Sequence, residues 1–412
     1  MGLSEKQIQI LDFPKTKYSA LVCDGAVRSG KTSIMSLSFV IWAMTMFNER
    51  NFAICGKTVQ SAARNIVTPL MGVTYLQKHG YILQYSVSTH LLTITRGKTI
   101  NRFYIFGGKD ESSASLIQGI TLAGVLLDEV ALMPRSFVEQ ALARCSVDGA
   151  RFWFNCNPEN PEHWFYKEWV LDPENTKNRQ HIHFLMTDNP SLSQETLDRY
   201  YSIYTGVFYQ RYILGLWVMA EGRIYDKFTR EYNVVESSDR PYSMFYVSMD
   251  YGTQNPTAML LWGKCGGVWY LINEYYYSGR DTGNQKTDEE YYTELERLTD
   301  GRNIRAVVID PSAASMIACI KRHGRFTVRS ADNSVLDGIR NTATALDNGQ
   351  IKICDCCEHT INEFSGYVWD EKSSSRGLDA PLKENDHAMD AIRYFVRTIL
   401  YKPQAKIHTV RM

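Results

Sequence analysis

Residues Gly25-Ala26-Val27-Arg28-Ser29-Gly30-Lys31-Thr32 constrain the fold more than any other stretch. They satisfy G-x-x-x-x-G-K-[ST] at every fixed position. The apolar run 21–23 precedes them, and an apolar helical run opens at Lys31. A phosphate-binding loop needs that context, a strand feeding a glycine-rich turn and then a helix N-terminus. The glycines let backbone N–H groups curl around phosphate oxygens, and the helix terminus adds positive partial charge. Lys31 is expected to reach the β- and γ-phosphates, and Thr32 to offer its hydroxyl to Mg²⁺. A glycine turn carrying Lys-Thr by chance would lack the flanking strand and helix. ATP is the expected ligand of residues 25–32.

About a hundred residues downstream, Val125-Leu126-Leu127-Asp128-Glu129 is an apolar strand ending in two carboxylates. Alone, such a run marks a strand meeting solvent. Behind a phosphate loop it assigns Asp128 to the Mg²⁺ water shell and Glu129 to the attacking water as general base. A second carboxylate implies hydrolysis, not binding alone. Asn155-Cys156-Asn157-Pro158 ends a further strand. Asn155 and Asn157 fit a γ-phosphate sensor, and Asn-Pro is equally a turn signal.

Short apolar runs alternate with helical patterns through the first half, at 52–56, 81–85, 91–95, 103–106, 124–127 and 152–155. That alternation predicts an α/β domain with a mostly parallel sheet covered on both faces. It spans 1–214, closing in an aromatic-rich helical lid at about 190–214. A polar stretch, 215–240, reads as a connector. From 241 to 412 a second α/β domain follows, with strands at 245–250, 257–263, 268–275 and 306–310 and a final helix at about 386–400. Its order β-β-β-α-β-α is that of an RNase H-like fold, by analogy alone.

Three aspartates of this half end elements or share a helix face. Asp250 and Asp310 close strands, and Asp390 lies in the final helix with Asp386 at i−4 and His387 at i−3. Carboxylates converging from two strands and a helix suit a pair of Mg²⁺ or Mn²⁺ ions that clamp a phosphodiester. Strand-end and capping aspartates are the plainer alternative.

The chain has 412 residues, 44% of them hydrophobic, so it can bury a large core and is not a disordered protein. Lys plus Arg and Asp plus Glu both number 45, so any nucleic acid must be held by local basic patches. The longest apolar run, 34–47, includes Ser36, Ser38 and Thr45 and is too short to span a bilayer. With no export signal and nine scattered cysteines, the chain is expected in a cytosol with reduced thiols, away from membranes. Residues 354–359 crowd Cys354, Cys356, Cys357 and His359 without the separated pairs of a structural zinc site. They read as a strand end leading into a helix. Lys321-Arg322-His323-Gly324-Arg325 with Arg329 reads as a solvated basic face, or as a holder of DNA phosphates.

Taken together, these segments resemble the large terminase subunit of tailed bacteriophages over nearly the whole chain. The resemblance rests on Ser4-Glu5-Lys6-Gln7, residues 25–32, Leu127-Asp128-Glu129, and Asn155-Cys156-Asn157-Pro158 with His163-Trp164-Phe165. It continues through Asp188-Asn189-Pro190, Leu214-Gly215-Leu216-Trp217 and Glu221-Gly222-Arg223-Ile224-Tyr225. Asp250-Tyr251-Gly252, Ile309-Asp310-Pro311 and residues 385–394 complete it, and the last segment with the linker makes it specific. The resemblance implies an ATPase that drives double-stranded DNA into a procapsid through the portal protein, with a small terminase subunit as partner. It implies a nuclease that cuts concatemeric DNA, and a chain monomeric alone that forms a ring on the portal. By position, Gln7 resembles the adenine-contacting glutamine, and Asn155 and Asn157 lie in the coupling segment. Asp250, Asp310 and Asp390 match the nuclease metal ligands, with His387 accessory to them. Where many relatives carry an arginine before the glycine preceding the Asp-Glu strand, this chain has Gln118, which leaves the arginine finger open among Arg28, Arg102, Arg135 and Arg144.

Two other readings compete. One is a P-loop helicase or DNA-repair ATPase whose second half binds DNA without cutting it. The other is a non-catalytic interaction protein, which intact Lys31, Asp128 and Glu129 oppose.

Overall fold

Eight strands build the first sheet of the computed structural model, which describes residues 2–252, 255–279 and 283–401. They are β1 (Ala20–Gly25), β2 (Asn51–Gly56), β3 (Tyr81–Ser86), β4 (Leu91–Arg96), β5 (Thr99–Gly107), β6 (Gly124–Asp128), β7 (Arg151–Asn155) and β8 (Arg179–Phe184). Their order is β3-β4-β5-β2-β6-β7-β1-β8, parallel from β5 through β8, with β3, β4 and β5 an antiparallel meander. Every residue of β1 and β6 is buried, as expected of central parallel strands covered on both faces. One face packs Met35, Phe39, Trp42 and Ala43 of the helix Lys31–Met46 over Leu21, Ile54 and Trp153. The opposite face packs Phe137, Phe165 and Trp169 against Val22, Leu127 and Phe154. The 190–214 stretch holds the helices Gln194–Ile203 and Gly206–Tyr212.

The second sheet has seven strands: β9 (Val234–Val235), β10 (Met244–Asp250), β11 (Thr257–Cys265), β12 (Val268–Tyr277), β13 (Ile304–Ile309), β14 (Val328–Ser330) and β15 (Ile351–Cys354). Its order is β14-β13-β10-β11-β12-β15-β9. β10, β11 and β12 pair antiparallel, and the outer neighbours run parallel. Both sheets are mixed α/β, in line with the expected fold class. The final helix, His387–Phe395, continues as a wider turn through Val396–Leu400 and packs across β10 and β11. Phe395 stacks on Trp262 at 4.2 Å between ring centroids, an anchor that fixes the helix over the strand carrying Asp250. Helices Ala314–His323 and Val335–Asp347 lie between β13 and β15, a more elaborate order than the sequence pattern suggested.

The chain divides into two compact units: residues up to Met219 with Ser375–Leu378, and Ala220–Ser374 with the chain from Asp379 on. The expected connector, 215–240, is not a separate segment. Trp217 belongs to the first unit, where its indole N–H donates to Asp24 at 2.7 Å. Residues after Met219 are built into the second unit: Ile224 N–H bonds Tyr367 O, Trp369 N–H bonds Gly222 O, and Val234–Val235 is strand β9. A polar stretch that gains ladder hydrogen bonds is structure, whatever its composition.

Candidate active sites

The first site stands at the C-terminal ends of β1, β6 and β7. Gly25 has φ 120°, and a Cβ there would lie 2.0 Å from Phe184 O, so only glycine lets β1 end against β8. Gly30 has φ 85°, and an added Cβ would meet the Gln7 amide nitrogen at 2.7 Å. That approach seats Gln7, 4% exposed, directly against the loop. The helix Glu5–Asp12 presents it through a capping box, in which Ser4 and Gln7 satisfy each other's backbone N–H groups. Ala26 N–H donates to Phe184 O and Val27 N–H to Tyr212 O, tying the loop to β8 and to the helix Gly206–Tyr212. Asn189 donates to Arg28 O at 2.7 Å.

Lys31 is buried, and its ammonium donates to Gly25 O at 3.0 Å, Ala26 O at 2.8 Å and Ser29 Oγ at 3.3 Å. Asn157 Oδ1 lies 3.4 Å away. Burial pushes the Lys31 ammonium down to about 8, against the pull of Asp24 and Asp128. Thr32 Oγ1 is 3.3 Å from Asp128 Oδ1, while the Asn155 amide donates to Thr32 Oγ1 at 2.8 Å and to Asp128 Oδ1 at 2.5 Å. Asn65, which sequence reading missed, donates to Asp128 Oδ2 at 3.4 Å. Burial raises the Asp128 carboxyl, and the bonds from Asn155, Asn65 and Thr32 oppose that rise. The next residue, Glu129, has φ 58° and ψ 45°, a left-handed conformation that a β-strand does not continue. The chain turns abruptly there, an uncommon conformation for a glutamate and the kind found at functional sites.

Beside this set stands a cluster that the sequence did not advertise. Asp24 on β1, 1% exposed, accepts from His181 at 2.8 Å, His183 at 3.0 Å and Trp217 at 2.7 Å. Burial raises its carboxyl, but the two histidines outweigh it and hold Asp24 well below the usual range. Of the arginine candidates, Arg135 is paired with Glu139 at 2.6 Å and Glu168 at 2.9 Å, while Arg28 and Arg102 are exposed.

The second site lies at the end of β10. Asp250, Asp386, His387 and Asp390 line one cleft of about 520 Å³, together with Lys383 and Tyr251. His387 Nδ1 is 2.9 Å from Asp250 Oδ2, and Tyr394 donates to Asp250 Oδ1 at 3.4 Å. Asp390 is 9% exposed and held at Oδ1 by Arg393 at 2.5 Å. Lys383, absent from the sequence-based set, spans Asp386 Oδ2 at 2.9 Å and Asp390 Oδ2 at 3.2 Å. Burial raises the Asp250 carboxyl, and the charges of Asp390 and Asp386 add to the rise against the His387 hydrogen bond. His387 is driven down by burial but ends above its ordinary value because Asp250 favours its cation.

Asp310, at the end of β13, does not line that cleft. Its carboxylate accepts from Ser312 N–H at 2.8 Å and from Asn333 at 2.9 Å. Burial raises it, but these bonds and one from Tyr394 bring it lower overall, so Tyr394 faces both Asp250 and Asp310. The three aspartates therefore share a neighbourhood without forming one tight ligand set.

The donor set fits hard divalent ions. It consists of carboxylate oxygens, and the Lys383 ammonium already places positive charge between two of them. The Cys354 stretch, by contrast, is the end of β15 leading into the helix Glu358–Gly366, with the Cys356 and Cys357 thiols aimed at Ile272 O and Leu271 O. In the basic run, Arg322 and His323 pair with Glu289 and Arg325 with Glu296.

A family model described as terminase large subunit, T4likevirus-type, N-terminal, matches residues 22–231. The structure of the large terminase from a thermophilic bacteriophage is 52% identical and has a TM-score of 0.92, covering 97% of this chain and 100% of that one. The chain belongs to the large terminase family. The same phage protein is also known in complex with ADP, at TM-score 0.90, and with ATP-gamma-S, at 0.89. Each is 51% identical and covers 97% of this chain and 100% of that one. No curated protein sequence matches the chain. Membership makes this chain a DNA-packaging ATPase and endonuclease that binds nucleotide. No helix among the described residues is long and apolar enough to cross a membrane.

Proposed function

We propose that the first unit is the packaging ATPase and that residues 25–32 hold the ATP phosphates, with Gln7 beside the loop to meet the adenine. One observation carries this reading: Lys31, Thr32, Asp128, Asn155 and Asn157 meet through direct contacts from a loop and two strand ends. Lys31 trades its carbonyl partners for phosphate oxygens and stabilises their charge as the γ-phosphoryl departs. Thr32 and Asp128 would hold Mg²⁺, which supplies charge neutralisation for the phosphates. Glu129, held in a left-handed backbone turn directly after Asp128, orients and deprotonates the attacking water. Asn155, bonded to Asp128 and Thr32 at once, feels any change at that site and passes it to β7.

The second unit is the nuclease. Asp250, Asp310 and Asp390 would hold two Mg²⁺ or Mn²⁺ ions, with His387 orienting Asp250 and available to move a proton. Bound there, the ions supply the nucleophile and neutralise the scissile phosphate. Since carboxylates act on the backbone and read no base edge, cutting of double-stranded DNA is sequence-tolerant. The chain works in the cytoplasm of the bacterial host, with a small terminase subunit as partner and a ring of copies on the portal protein of the procapsid.

Separating the two activities by mutation tests the assignment. Lys31→Ala is expected to abolish ATP turnover and keep Mn²⁺-dependent cleavage of plasmid DNA, whereas Asp390→Ala does the reverse. If either variant lost both activities while folded, the allocation of sites to units would be wrong.

A further inference from the structure

Cys319 and His323 stand i,i+4 on the helix Ala314–His323 and so share a face. Opposite them, Glu289 sits in the first turn of the helix Asp288–Thr299. Among the described residues, these three form the one set of acid, thiol and imidazole groups whose ligand atoms all lie within 4.8 Å of one another. His323 Nε2 is 2.7 Å from Glu289 Oε2. Arg322 takes the other oxygen of Glu289, and its guanidinium lies 3.8 Å from Cys319 Sγ. The His323 ring is fixed by stacking on Tyr292, with centroids 3.8 Å apart and planes 9° apart. Cys319, 2% exposed, forms the floor, while Glu289 and His323 are open to solvent.

Surface contacts of Glu289 with Arg322 and His323 would need no cysteine. The thiol is what changes the chemistry. Sulfur, imidazole nitrogen and one carboxylate oxygen are a donor set that Mg²⁺ and Mn²⁺ disfavour and that Zn²⁺ prefers. We propose that Glu289, Cys319 and His323 form a zinc site, with solvent as the fourth ligand, distinct from the metal positions of the nuclease. Binding is balanced by release of the Cys319 thiol proton, since the metal takes the thiolate. Arg322 keeps one Glu289 oxygen and leaves the other for the ion. The ion would clip together two helices whose N-termini carry Asp288 and Ser315, and Asp288 accepts from Tyr251, the neighbour of Asp250. Tyr251 lines the nuclease cleft, so the ion would steady the cleft wall through Asp288.

Cobalt(II) titration of the full chain in excess Mg²⁺ tests the site, because only a thiolate ligand gives a sulfur-to-cobalt charge-transfer absorption. One equivalent is expected to produce that band, Zn²⁺ to bleach it, and Cys319→Ser to remove it. His323→Ala, at an exposed position, should weaken cobalt binding at least tenfold and abolish any rise in Tm that Zn²⁺ gives the wild type. That second readout stands if Cys319→Ser does not fold. Absence of the band, or a band unchanged in a folded Cys319→Ser or in His323→Ala, would overturn the proposal.

Discussion

Asn155 and Asp128 face each other in register on the paired strands β7 and β6, and the Asn155 amide donates to both Asp128 Oδ1 and Thr32 Oγ1. Two groups expected to hold Mg²⁺ are thus positioned by one amide. Asn155→Ala should raise the apparent KM for Mg·ATP roughly tenfold or more, because hydrogen bonds to a charged group contribute about 1.5–3 kcal/mol each. Steady-state ATPase kinetics over a Mg²⁺ series decide it. An unchanged KM would remove Asn155 from the site.

Lys31 and Glu129 should separate binding from chemistry. Lys31→Ala loses both nucleotide affinity and turnover, since the ammonium contacts phosphate in the ground state. Glu129→Gln keeps affinity and loses roughly 10²–10⁴ in kcat, the typical share of a general base. Fluorescent-nucleotide binding beside turnover measurements distinguishes them, and equal loss of binding in both would dismiss Glu129 as the base.

Much of this arrangement was legible in the sequence, for a physical reason. The loop 25–32 and the apolar strand before Asp128 carry strong local signals, because glycine geometry and two-sided burial restrict which residues can stand there. Other parts lack such a signal. Strand β8, Arg-Gln-His-Ile-His-Phe, is an edge strand with only two fully buried positions, so its polar residues hid it. Lys383 and Asn65 join their sites from other elements, and no spacing in the chain announces a partner brought in by folding; Tyr394 lies four residues after Asp390 on the same helix. The polar run after Met219 read as a connector because composition does not reveal which backbone groups find a ladder.

Lys383 bridges Asp386 and Asp390, so it competes with any ion for those oxygens. Lys383→Met should lower the Mn²⁺ concentration needed for half-maximal DNA cleavage. A rise instead would show that the ammonium serves the DNA phosphate more than it blocks the metal.

Glu363, 6% exposed, accepts from Ala388 and Met389 N–H at the start of the final helix. Burial nevertheless pushes its carboxyl up to about 7. A raised acid is penalised only when charged, so its cost grows as pH climbs from about 4.5 to 7 and is complete above that. Glu363→Gln should therefore stabilise the protein at pH 8, by up to the order of 3 kcal/mol, and change little at pH 4. Denaturant melts at both values check the sign; a gain confined to acid pH would contradict it.

The nuclease centre requires three aspartates from three elements to act together, and Asp310 is the member set apart from the cleft. The direct measurement is Mn²⁺-dependent plasmid cleavage by Asp310→Ala, with ATP turnover followed in the same preparation. The expected result is a severe loss of cleavage with ATP hydrolysis intact. Cleavage at the wild-type rate would contradict the shared metal site.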